Sequence, residues 1–429
     1  MKKAGNVIMI ALALGSLLFF ACNDENKETK GKWNPGPIEE YSITPINGGA
    51  TITYTIPNDE DILYVMAEYE RNGKIFTDKS SVYKNSLTIE GFHNVDKVQA
   101  KIYKVNRQEQ KSEPLAVEFT PLESLISIAK KSLKVQAAFG GVFAKWDNPE
   151  ATELGIRLMM KDTIGNSDKL ITGEMYYSTT KNEKYTFRTY DAVETDFAIA
   201  FEDKWGNISD TIRFTTTPLF ETMVPKPYAD FRSSIPYDNT TNLGPNFPFS
   251  NLYDNKVNTS AHGWLTTSGS SGLSITFDLK QVVQLSRIVR HPYHINSLYG
   301  QANITDFEAW GIDKIDYDKI DDKSYWLDSL SVRWGAIKGV DATTVLPDKT
   351  FKDDWTYLGR NTVPAGLTST EQNALSASGV ESEVPVEAKP VRYVRIFVRG
   401  ITFITPPPST NYFSSSEFTF YGDTKVPQN

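Results

Sequence analysis

Two groups of residues in this chain are equipped for chemistry. The first is Cys22, the single cysteine among 429 residues. It follows Lys2 and Lys3, an apolar run from Val7 to Leu14 that continues through Leu18-Phe19-Phe20, and the small Ala21. A charged start, a short apolar core and a small residue before a cut describe a secretory signal. The run is too short and too near the N-terminus for a comfortable spanning helix. A thiol at that boundary, with no second cysteine to pair with, reads as an acyl acceptor. The bland alternative is a cleaved signal whose cysteine is incidental. The second group is the string Arg290-His291-Pro292-Tyr293-His294, directly after a strand pattern. Aromatic faces stack on the apolar side of a pyranose, and planar donors and acceptors meet its hydroxyls. The string is therefore suited to holding a sugar, or it is a loop that packs its own aromatics. His291 and His294 make a poor metal pair, because they lie on a Pro-interrupted loop with no third ligand nearby.

The elements that must position these residues are strands. The net charge of −8 and pI of about 5.3 argue against nucleic acid and anionic lipid as partners, and no Lys/Arg cluster offsets them. Aromatics make up 12% of the chain, which suits sugar stacking and also suits all-β cores. With one cysteine there is no structural disulfide, so hydrophobic cores or bound metal must hold the folds. Residues 1–22 read as the signal and 23–38 as a polar tether ending in Pro35-Gly36-Pro37.

Residues 39–122 and 123–220 then read as two copies of one β unit. Gly48-Gly49 precedes the alternating Ala50 to Ile56, and Gly140-Gly141 precedes Val142 to Trp146. Each copy closes alike, on Val117-Glu118-Phe119-Thr120-Pro121 and on Ile212 to Pro218. Period-2 strands about every ten residues point to small sandwiches. A proline-bearing connector is expected over 221–235, and a third β domain over 236–429 that carries five of the eight Trp and three of the four His.

Several stretches resemble known families. Ala21-Cys22 with the run before it resembles the lipobox of bacterial lipoproteins, although Phe20 is bulkier than usual. Asn23-Asp24-Glu25 resembles the surface-export signal of Bacteroidota lipoproteins. The two repeats resemble fibronectin type III domains, with Trp146 at the core tryptophan position and Tyr54 at its counterpart. In the last domain, Asn251 to Thr259 followed by Trp264, then Ile275 to Leu279, Ile288, Trp355-Thr356-Tyr357-Leu358-Gly359, Val391 to Ile396 and Glu417 to Gly422 resemble, in order, the discoidin or coagulation-factor type C family. The resemblance implies a jelly-roll sandwich of the galactose-binding type, in many members a carbohydrate binder such as the family 32 carbohydrate-binding modules. The expected fold is therefore all-β, two fibronectin type III-like sandwiches followed by a discoidin-like jelly roll.

The same resemblance implies a site. Ligand loops at one end of the sandwich make His262, Arg290, His291, Tyr293, His294 and Tyr299 the ligand candidates, with Trp264 assigned to packing. A structural Ca²⁺ beside the opening loop would take oxygens from Asp254, Asn258, Thr259 and Glu417; the alternative is a capped turn, with Glu417 paired to an arginine. Asn255 stands where the family has glycine, in a turn that Asn can hold in left-handed geometry. An Asp-rich insertion over about 314–352, with Trp326 and Trp334, is either a loop over the binding rim or decoration.

The whole arrangement resembles Bacteroidota lipoproteins associated with glycan uptake. It implies a non-catalytic, lipid-anchored, surface-exposed outer-membrane protein whose partners are a glycan and outer-membrane transporter components. An adhesin that binds protein is the alternative. A glycoside hydrolase would need two carboxylates across the scissile bond. Asp313, Asp316 and Asp318 offer them, but no catalytic domain of typical size remains.

Overall fold

The structure, a computed structural model, describes residues 33, 35–161, 169–257, 262–267, 272–293, 298–329, 332, 337, 340–341, 343–401 and 413–428. Cys22, Asn258, Thr259, His294 and Trp334 lie outside them. No helix among the described residues is long and apolar enough to cross a membrane. The chain divides into two compact units, one ending at Ser124 and one starting at Leu125.

The first unit is a sandwich. Strands Glu40–Ile46, Gly49–Thr55 and Ser86–Glu90 form one sheet, and Ile62–Arg71, Lys74–Ser81, Val98–Asn106 and Leu115–Phe119 the other. Alternation sends Ile52, Tyr54, Val65, Ala67, Leu87, Ile89 and Ile102 into a shared core. The second unit begins with the helix Leu125–Ser132 and repeats this design. A three-stranded sheet (Lys134–Ala138, Gly141–Trp146, Glu183–Phe187) faces a four-stranded one (Leu154–Lys161, Leu170–Ser178, Thr195–Asp203, Ile212–Thr216). Trp146 is the central knob, edge-on to Phe201 at 5.7 Å and to Tyr176 at 6.3 Å.

The repeat extends to its turns. Gly48 and Gly140 hold φ of 67° and 66°. A Cβ on Gly49 would lie 2.0 Å from the Ile89 carbonyl oxygen, and one on Gly141 1.7 Å from that of Phe187. Only glycine permits that approach. Tyr54 and Trp146 each stand five residues after the second glycine, and both are buried.

The last part of the chain is a two-layer jelly roll organised by one bent strand, Ser274–His291. Its first half pairs with Val391–Ile401, which leads to Ile304–Ile312 and Thr356–Thr362; its second half pairs with Glu417–Asp423 and Val380–Glu383. Ile275, Phe277, Leu285, Ile288, Val394, Ile396, Phe418 and Phe420 fill the space between the layers.

The connector expected over 221–235 is part of this domain. Thr222–Met223 extends the sheet beside Glu417–Asp423, Ala229–Asp230 pairs with the long strand, and Val224 and Tyr228 are core residues. Apolar residues spaced between its prolines bind it to the sheet edge, so it cannot act as a free hinge. The insertion packs on the outer face of the Val391–Ile401 sheet. Tyr325, Trp326, Phe351 and Trp355 form a second core there with Tyr393. Asp316 and Asp322 accept hydrogen bonds from the backbone at the starts of short 3₁₀ turns, which accounts for part of the aspartate density.

Candidate functional site

The loops at one end of the jelly roll are tied together at their bases. Trp264–Leu265 pairs with Ser414–Ser415. The Ser416 N–H and the Ser415 hydroxyl both donate to the His291 carbonyl, at 3.0 and 2.8 Å. Asn303, fully buried, accepts from the Tyr293 N–H at 2.6 Å, and the Asn251 amide donates to the Gly263 carbonyl at 2.9 Å. Three loops that are distant in sequence therefore start from one rigid platform.

On this platform His262 and Tyr293 belong to one region. A Cβ on Gly263 would lie 3.0 Å from the Tyr293 ring, and Phe247 flanks that ring at 6.2 Å. His262 Nε2 is 2.9 Å from Asp254 Oδ2, which fixes the imidazole. Trp264 is fully buried, edge-on to Phe249 and Phe413, with its N–H donated to Asn242 at 2.8 Å.

The other candidates lie elsewhere. Arg290 pairs with Phe418 across the strands and shares its inward face. It is fully buried, and Nε, Nη1 and Nη2 have no hydrogen-bond partner among the described residues. Desolvation alone pushes its pKa down to about 9. His291 points to the opposite face, toward the end of the helix Ser369–Ser378, where a Cβ on Gly379 would lie 2.9 Å from its ring. Burial, reinforced by the charges of Arg290 and Lys226, pushes its pKa down to about 4. Tyr299 packs against the cluster of Leu298, Val363 and Val380 and donates its hydroxyl to the Pro364 carbonyl. The six candidates do not form one constellation: alternation along Arg290-His291 sends neighbours to opposite faces.

The calcium expectation meets a residue that sequence reading missed. Asp254 is engaged by His262, by Lys256 Nζ at 3.3 Å and by the Lys256 N–H at 3.0 Å. Glu417, 1% exposed, receives the ammonium of Lys226, itself 5% exposed. Lys226 also donates to Asn255 Oδ1 and Thr419 Oγ1, each at 3.1 Å. Burial pushes the Glu417 carboxyl up, against the pull of that ammonium. No group of three or more His, Cys, Asp or Glu among the described residues could hold a metal ion. Calcium takes six to eight oxygens; the described oxygens at Glu417 surround a nitrogen, and Asn258 and Thr259 lie outside the described residues. Lys226 carries no local signal, because its partner lies 191 residues away.

An open groove of about 820 Å³ lies in the first sandwich, lined by Arg71, Phe92, His93 and Lys97 among others. Its rim includes an exposed Lys97–Glu118 pair, and no converging set of buried polar groups marks it as a site.

Fold and site together define an all-β protein of three sandwiches whose last member carries loops on a braced platform. In sequence, three family models match in turn, each described as a domain of unknown function: DUF4959 over residues 35–121, DUF5126 over 122–227 and DUF5000 over 253–422. No curated protein matches. Among solved structures the chain is similar to a SusE-like protein, at 20% identity and TM-score 0.33, covering 69% of this chain and 97% of that one. It is also similar to an F5/8 type C domain from Bacteroides fragilis, at 15% identity and TM-score 0.25, covering 47% and 99%. A third is a two-domain fibronectin type III segment of chicken tenascin, at 12% identity and TM-score 0.20, covering 42% and 98%.

Proposed function

We propose that this is a non-catalytic carbohydrate-binding protein, anchored by lipid at Cys22 on the outer-membrane surface, which captures a glycan for a transporter. The observation that supports the reading best is the braced loop platform. It sets Gly263, next to His262, against the Tyr293 ring at the end of a jelly roll. An aromatic ring and an oriented imidazole are what sugar recognition uses. Binding would proceed by stacking and hydroxyl hydrogen bonds, with no covalent step.

A glycan array with the purified protein tests this. Binding should be lost in Tyr293→Ala and retained in His291→Ala, whose ring faces the other way. Absence of any glycan signal, with a protein partner captured instead, would overturn the reading in favour of an adhesin. Turnover of an oligosaccharide would overturn it in favour of a hydrolase.

A further inference from the structure

We propose that Lys226 is the resident cation of the loop beside Glu417, so that this domain is held by an internal ammonium ion where the resemblance implies Ca²⁺. The geometry is that of a saturated ammonium. A lysine has three N–H donors and no acceptor, and three oxygens surround Nζ: Glu417 Oε1, Asn255 Oδ1 and Thr419 Oγ1. The carboxylate balances the charge, and the two neutral oxygens complete the shell. Both ionic partners are almost completely buried, where an uncompensated charge would be costly.

One departure from the resemblance fits the ammonium here. Asn255 stands in place of glycine, at φ 65°, and its backbone N–H donates to Glu417 at 3.2 Å. A glycine could hold that turn, but it would offer Lys226 no side-chain oxygen. The asparagine keeps the left-handed turn and adds the acceptor that an ammonium needs. Lys226 reaches the loop because residues 222–224 run along the edge of the Glu417–Asp423 strand, with the Val224 N–H bonded to the Phe420 carbonyl at 2.9 Å. The segment that looks like a connector is thus the carrier of the cation.

The test is thermal unfolding and calorimetric CaCl₂ titration of the purified full-length protein, freed of metal by chelation. Wild type should unfold at the same temperature in CaCl₂ and in EDTA, and the titration should give no binding heat. Lys226→Met should lower the unfolding temperature by roughly 10 °C, because it strands a buried carboxylate. Lys226→Met combined with Glu417→Gln should recover most of that loss. Asn255→Gly should lower it by a few degrees and guards against a Lys226 variant that does not fold. Stoichiometric Ca²⁺ binding or a Ca²⁺-raised unfolding temperature in wild type would overturn the proposal. So would a Lys226→Met protein as stable as wild type.

Discussion

Lys226 and Arg290 lie on opposite faces of the same pair of strands and are buried to a similar degree, yet they are treated in opposite ways. Glu417 and Phe418 are neighbours on one strand; Lys226 is paired with the first, and Arg290 lies across from the second. The lysine has an oxygen for each donor, while Arg290 has none. A buried cation with a full set of acceptors rigidifies its surroundings. One with no acceptors lowers stability. The comparison separates a compensated buried charge from an uncompensated one within a single sheet.

A third buried cation extends the series and has the largest expected effect. Arg395 forms an ion pair with Asp238 at 3.2 Å, with both side chains nearly inaccessible, and donates to Ser274 Oγ at 2.7 Å. Its guanidinium lies over the Phe351 ring at 4.4 Å and the Trp326 ring at 5.1 Å, pinning the insertion to the sheet. Arg395→Ala should cost about 3–5 kcal/mol in urea unfolding, since it leaves Asp238 buried and alone. A loss below about 1 kcal/mol would place Arg395 with Arg290.

Arg290→Met should act in the opposite direction. Replacing an unpaired buried charge by an apolar chain of similar length should leave stability unchanged or raise it by up to about 4 kcal/mol. The same variant should leave glycan binding in calorimetry within about threefold of wild type, because the side chain is buried away from the loop platform. A destabilised variant would mean that the Arg290 side chain contributes packing that methionine does not replace.

These contrasts explain what could be read from the sequence. The two repeats were legible because Gly48-Gly49 and Gly140-Gly141 mark a backbone approach that only glycine allows, and period-2 strands follow each. The bent strand was legible in two parts, 273–279 and 285–289; nothing local says that it continues between them. The role of residues 221–235 was not legible. Their strands, Thr222–Met223 and Ala229–Asp230, are two residues long, too short for any periodicity, and prolines there read as linker. Pairing over long sequence distances hid the site as well. Glu417 reads as a metal ligand until Lys226 is placed beside it, and Arg290-His291 reads as one cluster until alternation divides it.

His291 reports the same electrostatics through pH. Its ring faces the Lys226 side of the sheet, with Glu417 opposite it in register and Arg290 adjacent. The folded protein holds it near 4, below its ordinary 6.5. Between those values the unfolded chain takes up a proton that the folded protein refuses, so stability falls as pH drops from 6.5 to 4. Once partial exposure is discounted, the loss should be about 2 kcal/mol. His291→Leu should flatten urea midpoints over that window, and an unchanged slope would show that burial, with the charges of Arg290 and Lys226, does not hold the imidazole neutral.

The smallest effect is expected at the joint between the second sandwich and the jelly roll. Arg188 donates to Glu383 at 2.9 Å and to Glu221 at 3.1 Å, and Glu221 also accepts from Ser286 at 2.5 Å and from Arg287 at 3.2 Å. Glu221 is the buried centre, shared by one arginine from each domain. In Arg188→Ala the glutamate keeps Arg287 and Ser286, so no charge is stranded and the cost should be about 1 kcal/mol. The effect should show in coupling more than in stability, with the second sandwich and the jelly roll unfolding in one calorimetric transition in wild type and in two in the variant. A single transition that persists would place the coupling in the backbone at Thr222–Met223, whose strand pairing with Glu417–Asp423 the substitution leaves intact.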